Sequence, residues 1–98
     1  MLNDQNPQEV TSILEIYDIK TGTREILREF PYLIEAPEWT NDGKYLVYNS
    51  EGLIYKLPLS SPEKAEQIDT GFATQCNNDH LISPDGKWLA VSHRSLPN

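Results

Sequence analysis

The stretch Trp39–Ser50, WTNDGKYLVYNS, is nearly repeated at Ile82–His93, ISPDGKWLAVSH. Superposing them pairs Thr40 with Ser83, Asp42 with Asp85, Gly43 with Gly86, Lys44 with Lys87, Tyr45 with Trp88 and Leu46 with Leu89, at a spacing of 43 residues. Asp-Gly is a strong hairpin signal, because glycine enters the left-handed region without steric cost and aspartate bonds the nearby backbone. In the second copy Pro84 presets φ for the first corner of a type I turn, Asp85 takes the second corner and Gly86 the left-handed position. TNDG and SPDG therefore encode one turn, and each leads into a run, KYLVYN or KWLAVS, with apolar side chains on both faces, as in a strand held between layers.

Working outward from these copies, TSILEIYDI and REILREF, separated by KTGT, predict a hairpin of strands at Thr11–Ile19 and Arg24–Phe30. A helix over TREILREF is the alternative, since Ile26, Leu27 and Phe30 share a helical face, but the run is short and lies between Gly22 and Pro31. Further strands are predicted at Ala36–Trp39, Lys44–Asn49, Leu53–Leu57, Glu66–Asp69, His80–Ser83 and Lys87–Ser92, with a hairpin turn at NSEG. Leu14, Ile16, Leu46, Val47, Ile54, Leu89 and Val91 are the predicted core. The first hairpin repeats as well, IYDI at Ile16–Ile19 matching IYKL at Ile54–Leu57. With the strands of one repeat labelled A to D, the chain reads C-D, A-B-C-D, A-B. Residues 1–9, polar and aperiodic, are expected to form a flexible lead-in, and residues 10–98 the repeat region.

Periods of roughly 40–45 residues with four short strands each mark β-propeller blades. A single blade does not bury both of its faces, so blades stack around an axis and cover one another. The expected fold class is accordingly all-β, with antiparallel four-stranded propeller blades and two blades' worth of strands. Unpaired terminal halves would expose sheet edges, which predicts a homo-oligomer, three copies rebuilding a six-bladed ring, or completion by the remainder of a longer propeller.

Composition narrows the partners. The 98 residues carry a net charge of −7, with eight Lys and Arg scattered along the chain, which argues against general nucleic-acid binding and against anionic membrane surfaces. Cys76 is the sole cysteine, so an intrachain disulfide and a cysteine-based zinc site are excluded. The opening MLNDQNPQEV lacks the basic start and apolar run of a secretory signal, and no apolar run is long enough to span a bilayer as a helix, which predicts a cytoplasmic location.

SPDGKWLAVS and TNDGKYLVYN resemble the S-P-D-G-K-x-[IL]-[AV] signature of the TolB-like, or PD40, β-propeller repeats, and the likeness covers essentially Val10 to His93. It implies the amino-terminal portion of a propeller, usually of about six blades. Periplasmic TolB carries a leader that this opening lacks, so a cell-envelope role is not implied.

In such propellers strand A is innermost, which directs attention to QCNNDHLIS and IEAPEW. Asp79 and His80 would offer a carboxylate and an imidazole at a channel mouth for a metal, a sugar hydroxyl or a cation. Their structural reading is a turn at NNDH with His80 bonded to a neighbouring blade's backbone, and it is favoured because one His and one Asp are too few for a metal site. Glu35, Glu38 and Trp39 would set carboxylates beside an indole, suited to a sugar or a peptide amine. The more ordinary arrangement packs Trp39 between blades and leaves the glutamates in solvent. Cys76 is expected to be a small buried residue and His93 to end a strand without a partner.

No G-x-S-x-G elbow, P-loop or H-E-x-x-H occurs in the sequence. The leading expectation is a non-catalytic binding or scaffold module for a protein, peptide or small ligand, with no cofactor and no metal of its own. The alternatives are part of a metal-dependent polysaccharide lyase or hydrolase, or the gating propeller of a peptidase.

Overall fold

The computed structural model describes residues 10–94, and every regular element among them is a β-strand. The chain divides into two compact units, residues 1–34 and 35–98.

In the first unit β1 (Ser12–Tyr17) and β2 (Arg24–Phe30) form an antiparallel two-stranded sheet. The helical alternative for TREILREF is thereby settled as strand. The turn between them is fixed by its own side chains: Asp18 Oδ1 accepts the Lys20 and Thr21 N–H groups at 2.9 and 3.1 Å, and Gly22 adopts φ +76°. These bonds pull Asp18 and Ile19 out of the predicted strand. Across the sheet, Arg24 donates through Nε and Nη2 to the two carboxylate oxygens of Glu15 at 2.9 and 3.1 Å. That ion pair lowers the Glu15 carboxyl below its ordinary range. Leu14 and Phe30 are buried, whereas Ile16, predicted as core, is only partly so.

In the second unit β3 (Glu35–Trp39), β4 (Tyr45–Ser50), β5 (Leu53–Pro58) and β6 (Glu66–Ile68) make one antiparallel sheet in sequential order, while β7 (Cys76–Ile82) and β8 (Leu89–His93) make another of two strands. The antiparallel blade A-B-C-D is thus complete once, followed by A-B, as the repeat pattern requires. β4 is central and almost wholly buried. β7 lies against β3 and β4, and the core between the layers gathers Val47, Ile54, Ala73 and Cys76, flanked by Ile68, Ile82, Leu89 and Val91. Leu89 and Val91 are half-buried, less enclosed than the sequence pattern predicts, and among the described residues no strand pairs with the outer edge of β8. β7 starts at Cys76, four residues before the predicted His80, because a register irregularity accommodates NNDH inside the strand. There is no separate turn there.

The two Asp-Gly turns are chemical copies. In the first, the Thr40 hydroxyl donates to Asp42 Oδ1 at 2.6 Å and accepts Tyr45 N–H at 3.1 Å, while Asp42 Oδ1 also takes Lys44 N–H at 2.9 Å. In the second, Ser83 donates to Asp85 at 2.7 Å and accepts Trp88 N–H at 3.0 Å, and Asp85 takes Lys87 N–H at 2.9 Å. Gly43 and Gly86 sit at φ +73° and +76°, as their place in the turn demands. The β4–β5 turn is tighter. Glu51 and Gly52 both have positive φ, 52° and 86°, the pattern of a two-residue type I′ loop.

Candidate functional site

Two bulges aim the polar side chains. Between Glu35 and Glu38 the β3–β4 register shifts, with Ala36 at φ +56° absorbing the extra residue. Bulges re-aim side chains next to them. Glu38 thereby points at β7, where the irregularity at NNDH presents His80 in return. Glu38 Oε2 lies 2.5 Å from His80 Nδ1, and Glu38 Oε1 accepts Ile82 N–H at 3.3 Å.

His80 also reaches into the blade, its Nε2 lying 3.3 Å from Asn49 Oδ1 on β4. Asn49 passes the chain on by donating its Nδ2 to Asn78 Oδ1 at 3.0 Å. The His80 side chain is 1% exposed and that of Glu38 21%. A buried imidazole needs partners for its ring nitrogens, and here both face oxygens. Glu38, His80, Asn49 and Asn78 therefore form a polar line that stitches β3, β4 and β7 together.

The expectation that His80 bonds a neighbouring blade's backbone is corrected in its detail, since the partners are side chains. Glu38, read as solvated, is instead engaged at both oxygens. Asn49 and Asn78 escape a reading of the sequence because an asparagine in or beside a strand carries no pattern of its own. The other predicted residues make no side-chain hydrogen bond to His80. Trp39 remains 51% exposed instead of packing fully between blades. Glu35 pairs in register with Asn49 across the bulge. Asp79 is exposed, its N–H donating to Asn77 Oδ1 at 2.8 Å, and it lines an open depression of about 490 Å³ with Asn78, His80, Leu81, Val91 and Ser92. Among the described residues no group of three or more His, Cys, Asp or Glu is arranged to hold a metal. Cys76 is buried, its Sγ donating to Ala73 O at 3.2 Å, and His93 meets the Phe72 ring edge-on at 5.6 Å, so it has a partner after all.

A further cleft of about 460 Å³ lies beside the two Asp-Gly turns, lined by residues of both and floored by Val47, Ile68, Ile82 and Leu89. Asn41 bridges its rim: the Nδ2 group donates to Ser83 O and Pro84 O at 2.8 and 2.6 Å.

A four-stranded antiparallel sheet followed by half of the next, laid face to face around a shared core, defines a β-propeller segment. The chain is similar to TolB-like proteins. It is 52% identical over 83 residues to an uncharacterized protein of Agrobacterium fabrum, covering 85% of this chain and 28% of that one. It is 32% identical over 77 residues to the Tol-Pal system protein TolB of Francisella tularensis, covering 68% of this chain and 16% of the other. A solved structure from Agrobacterium tumefaciens, provisionally described as TolB, matches at 53% identity with a TM-score of 0.79, over 85% of this chain and 30% of that one. No family model matches the chain. The chain thus spans under a third of the length of these relatives.

Proposed function

We propose that the chain is a non-catalytic binding module of a TolB-like propeller, offering a protein, peptide or small ligand a rigid surface that includes Trp39 and Asp79. The observation that carries this reading is the Glu38–His80–Asn49–Asn78 line. The residues best suited to acid–base or metal chemistry are engaged with one another, and the imidazole is closed to solvent. A half-exposed indole such as that of Trp39 suits recognition of a cation or a sugar face.

The test is titration of the isotopically labelled protein with acidic, basic and neutral peptides, with oligosaccharides, and with Mn²⁺, Zn²⁺ and Ca²⁺, followed by NMR. Saturable shifts at Trp39 and Asp79 with a peptide or sugar, retained in His80→Ala, support the module. Tight metal binding that His80→Ala abolishes would favour the lyase or hydrolase reading.

A further inference from the structure

Of the six aspartates in the chain, Asp42 and Asp85 alone precede a glycine. A carboxyl in that position is open to attack by the backbone nitrogen of the next residue, because glycine lacks the Cβ that shields this nitrogen elsewhere. Both aspartates are exposed, so burial does not protect them. In the reaction the glycine nitrogen gives up its proton and bonds to Cγ, a carboxyl oxygen leaves as water, and a five-membered succinimide closes. Water then opens the ring. When it adds at the main-chain carbonyl, the bond from that carbon to the glycine nitrogen breaks, and the chain runs on through Cγ as isoaspartate. The backbone is then one methylene longer and the composition is unchanged.

The folded turns restrain both reactants. Gly43 N–H donates to Thr40 O and Gly86 N–H to Ser83 O, each at 2.9 Å, so the attacking nitrogen keeps its proton engaged. Asp42 Oδ1 is held by the Thr40 hydroxyl and the Lys44 N–H at 2.6 and 2.9 Å, and Asp85 Oδ1 by the Ser83 hydroxyl and the Lys87 N–H at 2.7 and 2.9 Å. Ring closure swings the carboxyl carbon onto the glycine nitrogen and gives up these bonds. The same contacts, the hydroxyls first, hold both carboxyls below the ordinary aspartate range. An ionised carboxylate has no hydroxyl to lose as water. Asp18 supplies the contrast: its Oδ1 also takes two backbone N–H groups, but the residue that follows is Ile19, whose branched side chain screens the nitrogen even in an open turn.

We infer that Asp42 and Asp85 are latent isoaspartate sites, closed by the Thr40 and Ser83 hydroxyls while the turns are folded and released when a turn opens. Conversion then follows the population of the open turn, a local equilibrium of its own. Each turn also needs its glycine at a positive φ, +73° at Gly43 and +76° at Gly86. An extra methylene just before that residue displaces it, so a turn that has reacted no longer fits its hairpin.

Incubation of the protein at neutral pH, folded and in urea, followed by peptide mapping with electron-transfer fragmentation, reads isoaspartate site by site. In urea both Asp42 and Asp85 are expected to convert, and Asp18 not. In the folded protein conversion at both is expected to be slower by more than about tenfold, as for a turn open less than about a tenth of the time. Equal rates in the two states overturn the proposal, whatever the variants do. Thr40→Ala removes one hydroxyl and is expected to speed folded-state conversion at Asp42 by about two- to tenfold, the weight of one net hydrogen bond, with Asp85 unchanged. Ser83→Ala is expected to do the reverse, and Thr40→Ser, which keeps the hydroxyl, to behave as the parent. The unaltered turn is the internal control: an equal rise at both sites reports general unfolding and overturns the role of the hydroxyls, as does no rise at either.

Discussion

Glu38 and His80, 42 residues apart in the chain, meet at 2.5 Å and join the first strand of the complete blade to the first strand of the next. Removing one member leaves buried polar atoms without partners, which costs about 1–3 kcal/mol. His80→Ala is therefore expected to destabilise the protein by about that amount, since Glu38 Oε2 and Asn49 Oδ1 both lose a neighbour. In a double-mutant cycle with Glu38→Ala, urea unfolding is expected to show coupling, because residues in contact do not contribute additively. Independent, additive losses would show that the contact carries no energy of its own.

The paired turns predict an acid response. Asp42 and Asp85 are held below the ordinary aspartate range, first by the hydroxyls of Thr40 and Ser83 and then by the Lys44 and Lys87 amides. The folded form therefore binds protons less readily than the unfolded one. The contribution is present in full above the unfolded value, about 3.9, and is lost as pH falls through the lowered folded value. Asp42→Asn with Asp85→Asn is expected to flatten the acid limb of the stability profile, measured by urea midpoints from neutral pH downward. An unchanged slope would show that the carboxylates do not hold the turns.

Glycines in this chain differ in what they tolerate. At Gly43 an added Cβ meets nothing within 4 Å, so Gly43→Val is expected to cost only the left-handed backbone penalty, about 1–2 kcal/mol. At Gly52 the same atom would lie 2.3 Å from Thr74 O, on a turn whose own carbonyl accepts Cys76 N–H at 2.8 Å. Gly52→Ala is thus expected to be the more damaging change even though alanine is smaller, as thermal unfolding would reveal. The reverse order would mean that the segment at Thr74 gives way freely.

Asn41 stands where the second turn has Pro84, and it alone of the two can donate across to the other turn. Asn41→Ala is expected to lower stability by about 0.5–1.5 kcal/mol and to speed hydrogen exchange around Ser83–Trp88. Exchange unchanged in that turn would show the bridge to be idle.

The sequence by itself determined the strand types, their order and the blade frame. Those properties are local: Asp-Gly and Lys-Thr-Gly turns fix chain reversals, alternation fixes strands, and a 43-residue period fixes the repeat. Arg24–Phe30 came out with its predicted ends for that reason, bounded by a turn on one side and Pro31 on the other. The partnership of Glu38 with His80, of His80 with Asn49, and of Asn49 with Asn78 was settled only by tertiary structure. It depends on two bulges, and a bulge changes which face each later side chain occupies. Nothing in EAPEW or NNDH marks the extra residue. Leu89 and Val91 pack against the core but are only partly buried among the described residues: apolar pattern reports a side chain's suitability for a core, while the layers around it decide how far the core closes over it.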